Sequence, residues 1–74
     1  MKTFHQICEQ YRRLDTENYR LLSIARRRGI EPLRAHYANR SRIIRDRFMA
    51  TLHKYGEQCR AAGMRWDADI EEYV

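Results

Sequence analysis

Residues 24–33 read IARRRGIEPL, and this stretch decides how the chain folds. Gly29 can adopt the positive φ that ends a helix in the left-handed conformation. Pro32 follows where the first turn of a helix accepts proline, because an amide hydrogen there would have no partner within the helix. The stretch therefore predicts a tight turn with one helix on each side.

The segment before the turn has the pattern of one long helix. Thr3 and Gln6 have the spacing of a capping box, which marks a helix start. Side chains at alternating steps of three and four form a stripe, which is Phe4, Ile7, Tyr11, Leu14, Asn18, Leu21 and Ala25. This seven-residue repeat predicts a helix over about 3–28. Asn18 interrupts the stripe, so it either sets the register of a helix pair or marks where the helix leaves the core.

The segment after the turn carries a second stripe. Its members are Leu33, Tyr37, Ile44, Phe48, Leu52, Tyr55, Cys59 and Ala62, with a polar gap at Ser41. Gly63 is a stop signal and Gly56 a possible earlier one, so we expect a helix over about 32–62. In the tail, residues 64–74, Asp67 can cap one or two helical turns. Apolar tail residues could then fold back over the open end, and these are Met64, Trp66, Ile70 and Tyr73.

The fold class predicted for residues 1–74 is a single all-α domain. One architecture is an antiparallel hairpin of two helices, each about 40–46 Å long at 1.5 Å per residue, with a short C-terminal helical tail. The other is a small bundle of four or five short helices, with breaks near Asp15 and near residues 39–41. An isolated hairpin leaves apolar surface exposed, so we expect it to form a homodimer or to dock on another protein.

Size and composition narrow the function. A chain of 74 residues with 43% hydrophobic residues buries only a small apolar core. Lining a substrate pocket would use most of the residues that form that core. No stretch approaches the ~20 apolar residues of a membrane span, and the start, MKTFHQICEQ, is too polar for a signal peptide. The two cysteines form no disulfide framework. We therefore expect a cytoplasmic protein that is not an enzyme and has no small-molecule substrate.

The charge is concentrated in the middle of the chain. Residues 20–47 hold nine arginines against Glu31 and Asp46, a net charge of +7, within a chain of net charge +5. Arginine makes bidentate contacts to phosphate and carboxylate groups. Three explanations stay open: nucleic-acid contact, docking on an acidic protein surface, and a solvated helix face in which Asp46 pairs with Arg42. The candidate binding residues are Arg26, Arg27, Arg28, Arg34, Arg40, Arg42 and Arg45.

Two aromatic residues are further candidates for partner binding. Tyr19 and Trp66 are the aromatic side chains that a protein partner would use as binding hot spots. Trp66 follows Gly63 and sits beside an acidic cluster, so it could equally anchor the tail to the helices.

The turn also resembles a known motif. Residues 24–30, IARRRGI, resemble the helix-turn-helix core of bacterial regulators, in which alanine allows close helix approach and glycine allows the turn. Residues 33–40, LRAHYANR, are similar to the recognition helix of TetR-type repressors, after a gap of about two residues. Arg28 and Glu31 depart from the usual apolar residue and Ser or Thr cap. The resemblance implies a DNA-binding regulator, and it requires a helix break near Asp15.

Metal binding and catalysis have little support. In a hairpin, His5, Cys8 and His53 could converge, but their spacing matches no known zinc motif. The acidic pairs of the tail lack the desolvated setting of a general acid, and Ser23 and Ser41 lack a positioned base. We therefore expect no cofactor and no metal.

Two functions remain. The leading hypothesis is a nucleic-acid-binding or transcription-regulating protein that acts through its arginine-rich segment. The alternative is a protein inhibitor of the kind that phages and mobile elements encode, anti-CRISPR proteins included, which docks on a bacterial protein complex and blocks it. That likeness is one of size and type, since such inhibitors are short, helical and cofactor-free.

Overall fold

The computed structural model describes residues 2–74, and two long helices dominate it. The elements in chain order are α1 (Phe4–Arg28), α2 (Glu31–Ala61), β1 (Trp66–Asp67) and β2 (Glu72–Tyr73). The helices pack against each other in a rod of 51 × 19 × 18 Å. The predicted all-α hairpin is therefore confirmed, and the alternative of four or five short helices is wrong, because neither helix breaks.

The predicted signals at the start of α1 and at the turn are confirmed. The Thr3 hydroxyl accepts a hydrogen bond from the Gln6 N–H at 3.2 Å, and the Gln6 side chain accepts one from the Thr3 N–H at 2.9 Å. Gly29 has φ 67°, its N–H donates to the Arg26 carbonyl, and the next N–H donates to the Ala25 carbonyl. These bonds satisfy carbonyls that the end of α1 would otherwise leave open.

The end of α2 uses the same arrangement. Gly63 has φ 81°, and its N–H donates to the Arg60 carbonyl at 3.0 Å, while the Met64 N–H donates to the Cys59 carbonyl at 3.0 Å. Gly56, the possible earlier stop signal, does not end the helix, which continues to Ala61. It is buried, and a Cβ there would lie 2.9 Å from the Tyr73 hydroxyl, so the glycine makes room for the tail.

The helix-turn-helix prediction is wrong. The two helices of that motif cross at roughly 90–120°. Here α1 is unbroken at Asp15, and α2 runs back along it, held by bonds from Tyr11 to Thr51 and from Asn18 to the Tyr37 carbonyl. The turn at Gly29 therefore closes an antiparallel hairpin.

The buried core lies in the seam between the helices and beneath the tail. Its apolar members are Ile7, Leu22, Ala25, Ile44, Tyr55 and Cys59. Leu22 takes the buried place that the stripe assigned to Leu21, which is only half-buried. A straight helix drifts about 20° per seven residues relative to a strict heptad, so the buried position moves one residue along.

Asn18 stays in the seam. Its exposed fraction is 2%, and its side-chain nitrogen donates to the Tyr37 carbonyl at 2.9 Å. Within residues 2–74 the Asn18 Oδ1 has no hydrogen-bond partner. Of the two interpretations of Asn18, burial in the helix pair is the observed one. The bond ties one point of α1 to one point of α2 and so favours this register.

The predicted helical tail is wrong, because the tail forms a small β-hairpin. Trp66 pairs with Tyr73 and Asp67 with Glu72, in antiparallel register. Asp67 does not cap a helix, since its carboxylate accepts the Asp69 N–H at 2.9 Å within the turn. Cross-strand partners share one face of a strand pair, so this conformation turns two aromatic rings toward the helices together.

The tail closes the open end of the rod. The Trp66 ring lies edge-on to Phe4, with centroids 4.9 Å apart, and edge-on to Tyr73 at 5.2 Å. Met64 and Tyr73 pack against the buried Ile7, Tyr55 and Cys59. The expected folding back is thus confirmed for these three apolar residues of the tail. Ile70 remains exposed, although its carbonyl lies 3.0 Å from the His5 Nε2.

No helix within residues 2–74 combines the length and the apolar character that a membrane crossing requires.

Candidate nucleic-acid interface

The candidate arginines occupy the closed half of the rod. Arg26, Arg27 and Arg28 form the last turn of α1, and Arg34 lies in the first turn of α2. The other three, at positions 40, 42 and 45, follow along α2 toward its middle. All seven side chains are exposed.

These arginines have few acidic partners. Across residues 20–47, all of which are described, one ion pair forms, between Arg34 and Glu31 with N···O 3.3 Å. The predicted pair of Arg42 with Asp46 does not form. By contrast, Glu9 in the open half contacts both Arg12, at 2.6 Å, and Arg13, at 3.1 Å. The other eight arginines of residues 20–47 form no ion pair with an acidic side chain. They are Arg20, Arg26, Arg27, Arg28, Arg40, Arg42, Arg45 and Arg47.

Helical spacing sorts the candidates onto faces. On α2, Arg34, Arg42 and Arg45 are separated by steps of eight and three residues, which places them on one face. On α1, Tyr19 and Arg26 are seven residues apart and share a face for the same reason. We call the surface formed by these five residues the basic flank.

A groove shows that the two faces lie on the same side of the rod. It holds about 330 Å³ between the helices, next to the basic flank. Arg45 and Met49 line it from α2, and Cys8, Arg12 and Asp15 line it from α1. Its remaining lining residues are Tyr11, Ile44 and Phe48. Because Asp15 and Tyr19 are four residues apart on α1, the groove continues directly onto the flank.

Some candidates lie elsewhere. Arg27 and Arg28 follow Arg26 by one and two residues, and Arg40 precedes Arg42 by two, so their side chains leave in other directions. Trp66 is at the opposite end of the 51 Å rod, where it contacts Phe4 and Tyr73. The structure therefore does not bring Trp66 together with the arginines, and its contacts are those of a tail anchor that keeps 43% of its surface exposed.

Tyr19 is the exposed aromatic residue of the basic flank. Its exposed fraction is 64%, whereas Tyr11 and Tyr37 on the same rod are half-buried and Tyr55 is buried. Helix packing therefore does not account for the ring of Tyr19.

Sequence reasoning missed two residues beside this surface. Arg12 and Met49 line the groove, and Met49 is 60% exposed. Each lies at helical spacing from a candidate, Arg12 seven residues before Tyr19 and Met49 four residues after Arg45. This helical spacing identifies Arg12 and Met49 as neighbours of one surface only when the pairing of α1 with α2 is known, because one residue lies on each helix.

The histidines and cysteines do not converge as the hairpin allowed. His53 pairs with Glu57 at 3.0 Å on the exposed side of α2, while His5 faces the Ile70 carbonyl. No three His, Cys, Asp or Glu side chains within residues 2–74 group closely enough to hold a metal ion. Burial, with a smaller contribution from the charge of Glu71, raises the pKa of the Cys8 thiol and so favours its protonated form.

Comparison of the chain with protein-family models, with curated proteins and with solved structures found no match in any of the three.

Proposed function

We propose that this chain is a non-enzymatic nucleic-acid-binding protein whose closed, arginine-rich half contacts phosphates. The observation that carries the proposal is the set of eight arginines in residues 20–47 that have no acidic partner. Each arginine that neutralises a phosphate releases condensed counterions, which makes binding favourable and dependent on salt.

Arg42 and Arg45 support the proposal more strongly than the arginines at the tip. Arg26, Arg27 and Arg28 occupy the last turn of α1, where positive charge is favoured by the helix dipole whatever the protein binds. Arg42 and Arg45 lie in the interior of α2, where the dipole has no such effect. They also repel each other at a spacing of three residues, a cost that an anionic partner would remove.

The dimensions of the rod favour contacts to phosphates over reading of bases in a duplex. The major groove of B-DNA is about 12 Å wide and admits one helix. The rod measures 19 × 18 Å across, so it does not lie lengthwise in that groove. We therefore propose binding through the backbone, with transcriptional regulation as one use that such binding could serve.

Fluorescence anisotropy of a labelled oligonucleotide, titrated at rising salt, tests the proposal. We expect the logarithm of the affinity to fall linearly with the logarithm of the salt concentration. Arg42→Gln with Arg45→Gln should weaken binding and reduce the slope by up to about 2. Lys54→Gln with Arg65→Gln removes the same charge from the open half and should leave the slope nearly unchanged.

Equal losses in the two double variants would mean that net charge, rather than the arginine-rich half, attracts the oligonucleotide. Failure to bind at low salt would overturn the proposal. That second outcome would favour the alternative, an inhibitor that docks on an acidic surface of a bacterial protein complex. Exposed Tyr19 and Met49 beside arginines support the alternative, because Tyr, Met and Arg are enriched at protein interfaces.

Self-association is a further part of the proposal. The accessible surface is 5920 Å², whereas a compact monomer of this mass exposes roughly 4,900 Å². The excess of about 1,000 Å² is similar to the ~800 Å² that each partner buries in a standard interface. This excess supports the expected homodimer. Free Cys8 and Cys59 are in keeping with the reducing cytoplasm where we expect it to act.

A further inference from the structure

We propose that the basic flank binds single-stranded nucleic acid, with an unpaired base stacked on the ring of Tyr19. This inference rests on the proposed function and deepens it by naming the strand state and the residue that contacts a base. Proteins that bind single strands combine a positively charged groove along the backbone with aromatic side chains on which bases stack.

The surroundings of Tyr19 leave its ring accessible. The Asn18 side chain bonds to the Tyr37 carbonyl at 2.9 Å, so Tyr19, the next residue of α1, lies close to this point of contact between the helices. Ala38, the residue after Tyr37 on α2, is exposed and has only a methyl group. With 64% of its surface exposed, Tyr19 offers a ring face to a ligand.

Charge lies on both sides of this ring. Arg26 is two helical turns away on the same face of α1, and Arg42 and Arg45 lie on the facing surface of α2. From Arg34 to Arg45, α2 rises about 17 Å at 1.5 Å per residue. A strand laid along this length meets guanidinium groups before and after the ring.

The adjoining groove can take a second base. Its lining includes the apolar side chains of Ile44, Phe48 and Met49, and Arg12 and Arg45 are also part of it. Its volume of about 330 Å³ falls within the range of small-molecule pockets, so a planar base fits there. Burial and, to a smaller extent, the charge of Glu71 raise the pKa of the Cys8 thiol, so the negative charge of the tail lies near this end of the groove. A polyanion would therefore stop there.

A duplex cannot use Tyr19 in this way. Its bases are paired and stacked, and an enzyme or binder that needs a base face must first unstack it at a cost of a few kcal/mol. The ring therefore contributes to binding of an unpaired strand and contributes nothing to duplex contact.

Three labelled probes test the inference by fluorescence anisotropy in the same buffer. They are an oligonucleotide of about ten deoxythymidines, an abasic oligonucleotide of equal length, and a duplex of equal length. The first two carry the same phosphates and differ only in bases. We expect the wild type to bind the thymidine strand at least about fivefold more tightly than the abasic strand, and more tightly than the duplex.

Tyr19→Leu should reduce thymidine affinity to the abasic level and leave abasic affinity unchanged, while Tyr19→Trp should retain the difference. Circular dichroism checks that each variant keeps its helices. If the wild type binds both single strands equally, or prefers the duplex, the stacking inference is overturned although the proposed function stands. If none of the probes binds at low salt, both the stacking inference and the proposed function are overturned.

Discussion

The Glu72 carboxylate accepts a hydrogen bond from the Phe4 N–H at 2.8 Å, which joins the last strand of the chain to the first turn of α1. The same carboxylate accepts bonds from the Tyr55 hydroxyl and from the Tyr73 N–H. Because α1 has no acidic residue in its own first turn, Glu72 supplies the negative charge that a helix N-terminus favours. One side chain therefore holds α1, α2 and the tail together.

Glu72→Gln should destabilise the fold by about 1–2 kcal/mol, because hydrogen bonds to a charged group are worth more than those to a neutral one. The measurement is urea unfolding followed by circular dichroism. Glu71→Gln is the matched control, since Glu71 is exposed and adjacent. Equal effects of the two substitutions would contradict the role given to Glu72.

Acidification should also destabilise the fold, because it protonates the Glu72 carboxylate. Burial alone raises the pKa of Glu72, but hydrogen bonds from Tyr55, Tyr73 and Phe4 outweigh burial and hold the pKa below its usual range. The stabilisation is therefore present above the unfolded pKa of about 4.3 and is lost as the pH falls through the lower folded pKa. Between about pH 6 and about pH 3, the free energy of unfolding measured in urea should fall less steeply in Glu72→Gln than in the wild type. Parallel curves would contradict this expectation.

Gly56→Ala tests the contact between α2 and the tail. Alanine favours a helix interior by about 1 kcal/mol over glycine, yet its Cβ would meet the Tyr73 hydroxyl at 2.9 Å. We expect the substitution to displace the tail and to give no net gain in the free energy of unfolding. In a Tyr73→Phe background, where the hydroxyl is gone, it should stabilise. A double-mutant cycle measures this difference, and additive effects would refute it.

Asn18 should limit the stability of the hairpin. Among the described residues its Oδ1 is buried without a hydrogen-bond partner, so Asn18→Leu should be neutral or stabilising by about 1 kcal/mol. Asn18→Ala should instead cost about 1–3 kcal/mol, because it removes the bond to Tyr37 and leaves a cavity. Thermal unfolding ranks the two variants, and a larger loss in Asn18→Leu would show that the single bond outweighs the buried, unpaired oxygen.

If the chain forms the proposed homodimer, light scattering coupled to gel filtration should measure a mass about twice 9.0 kDa. The elution volume alone does not decide the question, because a rod of 51 Å elutes earlier than a compact monomer. A scattering mass equal to that of one chain at all loadings would rule the homodimer out.

Local signals in the sequence predicted the parts of the fold that depend on near neighbours. The Thr3 and Gln6 capping box, the left-handed Gly29 and the placement of Pro32 involve residues within a turn of one another. Such interactions are the same in any tertiary setting, and the helix limits follow from them. The arginine-rich segment was visible for the same reason, since charge is a property of composition.

Contacts between distant residues decided the rest. The tail has no period that marks a strand, and its β-hairpin depends on the packing of Trp66 against Phe4 and of Tyr73 against Tyr55. The basic flank likewise depends on which residue of α1 faces which residue of α2. The sequence by itself determined two helices, a turn and a basic middle. Only the tertiary structure decided that Asn18 meets Tyr37 and that Tyr19 lies on the same side of the rod as arginines of α2, because the register depends on packing across the whole seam.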